Sequence, residues 1–215
     1  MDEDLPPCCF DDWARATAQR AHDRETVDAI STRLLAEIDA VGLDGRTVLD
    51  VGCGAGDLAL GALARGATRS TGIDLGHGAI DEARRLAEAR GLADRSSFSV
   101  GDGSKAPLPT SDVVVLNRVA CCYPDIDRLL TNTLSAAVHV YAFTAPVDRG
   151  LIGLGLRLVS RIGNVWFAVR RRRYRGYRTY VHDVAAIDAR VRAEGFEPVV
   201  RGRRRVVWEL AVYTR

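Results

Sequence analysis

The chain has 215 residues, of which 47% are hydrophobic and 27% charged, with a net charge of +2. Those values suit one globular domain that buries its own core, and no apolar run approaches the roughly 20 residues needed to span a bilayer. Five cysteines (Cys8, Cys9, Cys53, Cys121 and Cys122) with no CxxC spacing fit neither a disulfide framework nor structural zinc, so no metal site is expected. The opening MDEDLPPCCF is acidic and leads into no apolar signal core, so the expected location is cytoplasmic. Charge is unevenly placed. Residues 1–147 carry 14 basic and 22 acidic side chains, and residues 148–215 carry 16 and 6.

In chain order, Val27, Ile30, Leu34, Leu35, Ile38 and Val41 recur three or four apart, which predicts an amphipathic helix over 26–41. Thr47–Val51 is a short apolar run ending in glycine and reads as a buried strand. A helix at Leu58–Leu63, a strand at Ser70–Ile73 and a helix at Ala79–Arg90 capped by Gly91 follow. Strands are predicted at Ser97–Val100, Val113–Leu116 and Ala137–Phe143, with a helix at Ile126–Ala136. A last helix with Val184, Ile187 and Val191 on one face leads to Gly195 and two strands, around Pro198–Val200 and Val206–Val212. Apolar strands alternating with helices predict an α/β fold: a doubly wound, Rossmann-like, seven-stranded, mostly parallel sheet with helices on both faces. The chain then reads as a single domain. Its parts are a helical lid (1–42), a cofactor-binding core (45–145), a basic and apolar cap insertion (147–181), and a terminal helix and strands (182–215).

The stretch that carries chemistry runs from Val48 to Asp57. A strand delivers Asp50, and Gly52, Gly54 and Gly56 then turn tightly into a helix, with Cys53 inside the turn. Glycine permits positive φ and lets backbone approach a ligand closely. In an open α/β sheet the ligand lies beyond the carboxyl ends of the strands. Asp74, followed by Leu75, ends the second strand, where a carboxylate can take both hydroxyls of a ribose. Asp102 and Gly103 follow the third, where a carboxylate can accept from the amino group of an adenine. The spacing GxGxG differs from the GxGxxG of dinucleotide-binding turns.

VLDVGCGAGDLAL, GIDL and GDGS, in that order, resemble the cofactor motifs of class I S-adenosylmethionine-dependent methyltransferases over about residues 45–145. The resemblance implies S-adenosyl-L-methionine as cofactor. Asp50 would contact its methionine end, with Gly52, Cys53, Gly54 and Gly56 lining the methionine and ribose. Asp74 and Leu75 would hold the ribose, Asp102 and Gly103 the adenine, and Asn117 and Arg118 would close the pocket. Phe10-Asp11-Asp12-Trp13 and Tyr177–His182 are more loosely similar to the magnesium-protoporphyrin methyltransferases, whose His-Tyr-Pro stretch Cys122-Tyr123-Pro124 resembles with Cys in place of His. Cys-Cys-Tyr-Pro-Asp is also similar to a stretch of actinobacterial methyltransferases of unassigned substrate. Together these imply methyl transfer to a small-molecule acceptor, hydrophobic or anionic.

Cys122, Tyr123 and His182 are the candidate acceptor-side catalytic residues. Methyl transfer itself asks little of acid–base chemistry, because the sulfonium is already a potent donor and positioning carries much of the rate. Cys121 and Cys122 are small packed hydrophobes on one reading and ligands for a thiophilic metal or metalloid on another. The cap combines Arg157, Arg161, Arg170–Arg173, Arg175 and Arg178 with Leu151, Leu154, Leu158, Ile162 and Trp166. That pattern fits a helix covering the acceptor, a helix packed on the sheet, or one lying on an anionic membrane surface. An RNA methyltransferase is the next alternative, since an arginine run attracts phosphate, although no stacking-aromatic pattern accompanies it. The last is a noncatalytic scaffold or membrane-surface module.

Overall fold

The computed structural model describes residues 29–169, 178–204 and 206–215. Residues 1–28 of the predicted N-terminal lid, with Cys8 and Cys9, and the Arg170–Arg175 cluster lie outside these residues.

The chain alternates helix and strand. In order these are α1 (Ala29–Ala40), β1 (Thr47–Val51), α2 (Asp57–Leu63), β2 (Arg69–Asp74), α3 (His77–Ala89), β3 (Ser96–Val100) and β4 (Ser111–Leu116). Then come α4 (Ile126–Ala136), β5 (Ala137–Pro146), α5 (Gly150–Val169), α6 (Val184–Ala193), β6 (Glu197–Arg204) and β7 (Trp208–Thr214). The seven strands form one sheet in the order β3-β2-β1-β4-β5-β7-β6. The first five are parallel, and β7 runs antiparallel between β5 and β6. Chain order reverses between β1 and β4, so a crevice opens there beyond the strand ends.

The strands read as continuous apolar runs because both faces of the sheet are covered. Val48 of β1 and Val113 and Val115 of β4 face a core shared with α1, α2 and α3. Their neighbours Leu49, Val51, Val114 and Leu116 face the opposite core, with α4 and α6. This is the two-residue alternation of a pleated strand, with both faces filled. Gly91 (φ 65°) ends α3 in the left-handed region, as predicted for a glycine cap, and Gly195 (φ 86°) does the same for α6.

The structure departs from the sequence reading near the end of the chain. The final strand begins at Trp208, and Val206 and Val207 lie in the exposed turn of the β6–β7 hairpin. Apolar side chains alone therefore mislead at that edge. β6 is also longer than predicted and runs out to Arg204 at the edge of the sheet. Within the expected irregular insertion, Gly150–Val169 is one continuous 20-residue helix.

Helix α1 packs closely on α2 because Gly61 has no side chain. A Cβ there would come within 2.7 Å of Leu35 Cδ2. Leu35→Ala is expected to cost about 2–5 kcal/mol through the cavity it leaves. Gly61→Ala should be destabilising alone yet restore part of that loss in the Leu35→Ala background. Strictly additive urea-unfolding free energies in the double variant would count against this shared space.

Candidate functional site

The site is assembled where β1, β2, β3 and β4 end together. The β1–α2 turn has three left-handed glycines, Gly52 (φ 74°), Gly54 (φ 54°) and Gly56 (φ 80°). They serve different ends. A Cβ on Gly52 would strike Val119 Cγ2 at 2.3 Å, and one on Gly56 would meet the Phe98 ring at 2.9 Å, so both permit close packing. A Cβ on Gly54 would meet nothing within 4 Å, so there the bare backbone borders open space.

Asp74 fastens this turn. Its Oδ2 accepts from the Gly54 amide at 2.9 Å and its Oδ1 from the Gly76 amide at 2.8 Å, joining the ends of β1 and β2. Carboxylate oxygens carry further lone pairs for hydroxyl donors beyond these two amides. Leu75, half-buried, sits between the two anchored positions. Asp50 is almost fully buried, and its Oδ1 has no hydrogen-bond partner. Burial first, then the charge of Asp74, pushes its carboxyl up to about 7, against a smaller opposing hydrogen bond from the Ala59 backbone. A buried carboxyl with an unused oxygen beside an open glycine turn is suited to a cationic ligand.

At the end of β3, Asp102 accepts from the Tyr123 hydroxyl at 2.6 Å and the Ser104 amide at 3.0 Å, and pairs with Lys105 at 3.2 Å. Burial would raise its pKa, but the hydrogen bonds from Tyr123, Ser104 and Lys105 outweigh it and hold the carboxyl low. Gly103 lies so close to Val51 that a Cβ would come within 2.3 Å of it. Asn132 of α4 donates to the carbonyls of Gly103 and Ala106, at 2.8 and 2.9 Å, and so holds the loop. Sequence reading missed Asn132, which resembles any polar residue on a helix.

The loop after β4 is strained and braced. Arg118 is the one non-glycine residue with positive φ (61°) among those described. Its amide donates to Thr144 Oγ1 at 2.8 Å, Thr144 donates to Asn117 Oδ1 at 2.9 Å, and Asn117 Nδ2 donates to Ser31 Oγ at 2.7 Å. The brace thus ties α1, β4 and β5 together. Thr144 is fully buried in β5, and a lone hydroxyl in YAFTAP was the available signal for it.

Cys122, Tyr123 and His182 come together although 59 residues separate the last two. His182 Nε2 lies 2.9 Å from the Tyr123 carbonyl, which can only accept, so that nitrogen carries the hydrogen. The Tyr180 amide donates to the Cys121 carbonyl at 2.8 Å, and the Tyr180 and His182 rings stack. Tyr123 also bonds Ser104 closely. Burial, then Asp102, pushes its phenol up to about 12, so it stays protonated at neutral pH. Cys53 is buried in the core against Phe98 and Gly72, which leaves only its backbone to the turn.

The strand order and the glycine turn are those of a Rossmann-like methyltransferase fold. Residues 48–138 match the family model described as a methyltransferase domain. The ribosomal protein L11 methyltransferase of Enterobacter sp. (strain 638) is 33% identical over 128 residues, 60% of this chain and 39% of that protein. The chain therefore matches well under half the length of this curated relative. The magnesium protoporphyrin IX methyltransferase of Synechocystis PCC 6803, solved with bound SAH, superposes with a TM-score of 0.72 at 21% identity, covering 96% of this chain and 95% of that one. An O-methyltransferase family 2 protein from Planctomyces limnophilus DSM 3776, in complex with apigenin, gives 0.69 at 19% identity, covering all of this chain and 62% of its own. These likenesses establish the fold.

Cys121 and Cys122 are free, with their sulfurs 3.3 Å apart. The hydrogen bond with Cys122 and the nearby Arg118 hold the Cys121 thiol below its ordinary range despite burial, and the same hydrogen bond pushes Cys122 far up. Among the three described cysteines, iodoacetamide near neutral pH should therefore alkylate Cys121 first. Tandem mass mapping that finds Cys122 or Cys53 labelled ahead of it would contradict this electrostatic ordering.

Proposed function

We propose that the protein transfers a methyl group from S-adenosyl-L-methionine to a small-molecule acceptor by direct in-line displacement. The observation that carries this reading is the open backbone at Gly54 beside the unpartnered Asp50 Oδ1. When bound, the cofactor supplies an activated methyl group on a sulfonium. Asp50 would face its ammonium, Asp74 would add the ribose hydroxyls to the two amides it already holds, and Asp102 and Gly103 would take the adenine. The brace through Asn117, Arg118 and Thr144 would close the pocket and hold the acceptor side rigid.

The acceptor-side residues support a coarse choice of chemistry. The Tyr123 proton is committed to Asp102, the Cys122 thiol resists ionisation, and His182 Nε2 is committed to a carbonyl. Neither Tyr123 nor Cys122 is a free general base, and His182 keeps only Nδ1 for that role. The best-suited acceptor brings its own lone pair, as a carboxylate, thiolate or neutral amine does, and the Arg118 side chain bordering the loop favours an anionic one. The adjacent Cys121 and Cys122 sulfurs support a second reading, in which the acceptor is a thiophilic metalloid held by the pair. Loss of turnover of carboxylate acceptors in Cys121→Ser/Cys122→Ser would favour neither reading over the other. Turnover of a trivalent arsenical that vanishes in that variant would favour the second.

Calorimetric titration with S-adenosylmethionine tests the reading, and absence of saturable binding would end it. A cation binds the ionised Asp50, so binding releases a proton below its pKa of about 7. Affinity should rise roughly five- to tenfold from about pH 6 to about pH 7.5. Asp50→Asn should be weaker at the upper pH and flat between the two. A wild-type affinity independent of pH would place the cation elsewhere. Asp74→Ala is expected to weaken binding by about 1–3 kcal/mol through lost charged hydrogen bonds. Unchanged affinity in that variant would show that the ribose is misplaced.

A further inference from the structure

Helix α5 is amphipathic in the wrong direction for a helix of a globular core. The side turned toward the protein is small or polar: Gly153, Ser160, Gly163 and Asn164, with Ile152 and Leu156 half-buried beside them. A Cβ on Gly153 would strike the Asp148 backbone, so glycine there lets the chain entering α5 pass close to its first turn. Asn164 anchors this face. Its Nδ2 donates to the Thr179 carbonyl at 2.9 Å and its Oδ1 accepts from the Thr179 amide at 2.8 Å. The opposite face carries Leu151, Leu154, Leu158, Val159, Ile162, Val165 and Trp166, each between 44% and 89% exposed. These positions recur at helical spacing, so they form one continuous patch and not scattered exposures.

The charge on this helix selects among occupants. It has two exposed arginines, Arg157 and Arg161, along one border of the apolar patch, and no acidic residue. In sequence, Arg170–Arg173, Arg175 and Arg178 follow directly. A second copy of the chain would set this basic border against its own like charges, since a two-fold contact pairs the same patch with itself. A surface that is apolar within and anionic at its rim complements both features. Trp166, at the carboxyl-terminal end of the patch, has the amphipathic ring that favours the boundary between headgroup and hydrocarbon. No helix among the described residues is long and apolar enough to cross a membrane, so the geometry is that of a helix lying flat.

We infer that α5 docks the protein onto the surface of an anionic phospholipid bilayer, with Leu154, Leu158 and Ile162 inserted and Arg157 and Arg161 at the phosphates. This rests on the helix alone and not on the methyltransferase reading. The full chain should co-sediment with vesicles containing phosphatidylglycerol and much less with phosphatidylcholine vesicles. Leu158→Asp/Ile162→Asp should lower that partitioning roughly tenfold or more with an unchanged melting temperature, because both side chains are exposed. Arg157→Gln/Arg161→Gln should lower it by less and flatten its salt dependence. Equal partitioning of the aspartate variant, or equal binding to both vesicle types, overturns the inference. So does a lipid-free dimer that the aspartate variant dissociates, which assigns the patch to a second copy. A melting temperature lowered by the same variant would show the patch covered by the chain itself, and also overturns it.

Discussion

Two backbone amides from different strand-to-helix turns converge on one carboxylate, and the site follows from that. Asp74 holds Gly54 on one oxygen and Gly76 on the other, which fixes the β1–α2 turn against the start of α3. With the turn held there, three glycines can keep positive φ and leave Gly54 bare toward open space. The same arrangement places the Asp74 charge near Asp50, so a second carboxylate, already desolvated, is held partly protonated. The strand ends therefore carry an electrostatic cost that either protonation of Asp50 or a positive ligand relieves. On the proposed reading the ligand's ammonium relieves it at Asp50, and that group is the same in donor and product.

The fold was legible because both sheet faces are covered, which writes each strand as an unbroken apolar run and each helix as a stripe. Val48 and Leu49 point to opposite cores and both must be apolar. The signal weakens where one side is open. At the β6–β7 edge, charged residues enter the strand and apolar ones occupy the turn, so composition no longer marks the boundary. The glycine turn was legible for a related reason, since backbone at positive φ restricts residue type. The brace around Arg118 was not, because Ser31, Asn117 and Thr144 meet only after α1, β4 and β5 have packed. Likewise Asn132 acts through two carbonyls far from it in sequence.

The acceptor side shows how candidates chosen by residue type change meaning once partners are known. Tyr123 and His182 suggest acid–base chemistry in isolation. In the structure both are fasteners: Tyr123 ties the post-β4 loop to Asp102, and His182 ties residues 178–183 to that loop. On the proposed reading fastening carries weight, because an in-line displacement with an activated donor gains most from a fixed approach of the acceptor, and a braced loop supplies that more than a titrating group does. Arg118, held at positive φ by Thr144, is strain kept where positioning is demanded.

A continuous chain of contacts joins the exposed helix to this loop. Asn164 of α5 grips Thr179 through both its amide and its carbonyl, the next residue, Tyr180, donates to Cys121, and His182 reaches Tyr123, which bonds Asp102. Each link is a hydrogen bond to backbone or carboxylate, so the path resists stretching more than an apolar contact would. If α5 rests on lipid, its depth is passed through Thr179 to the post-β4 loop, and on the proposed reading an acceptor with an apolar body and an anionic head, held in the same layer, need not cross water to arrive. The inward face of α5 suits that role, because Asn164 fixes its register against Thr179. A helix selected only to cover a core would have turned its leucines the other way.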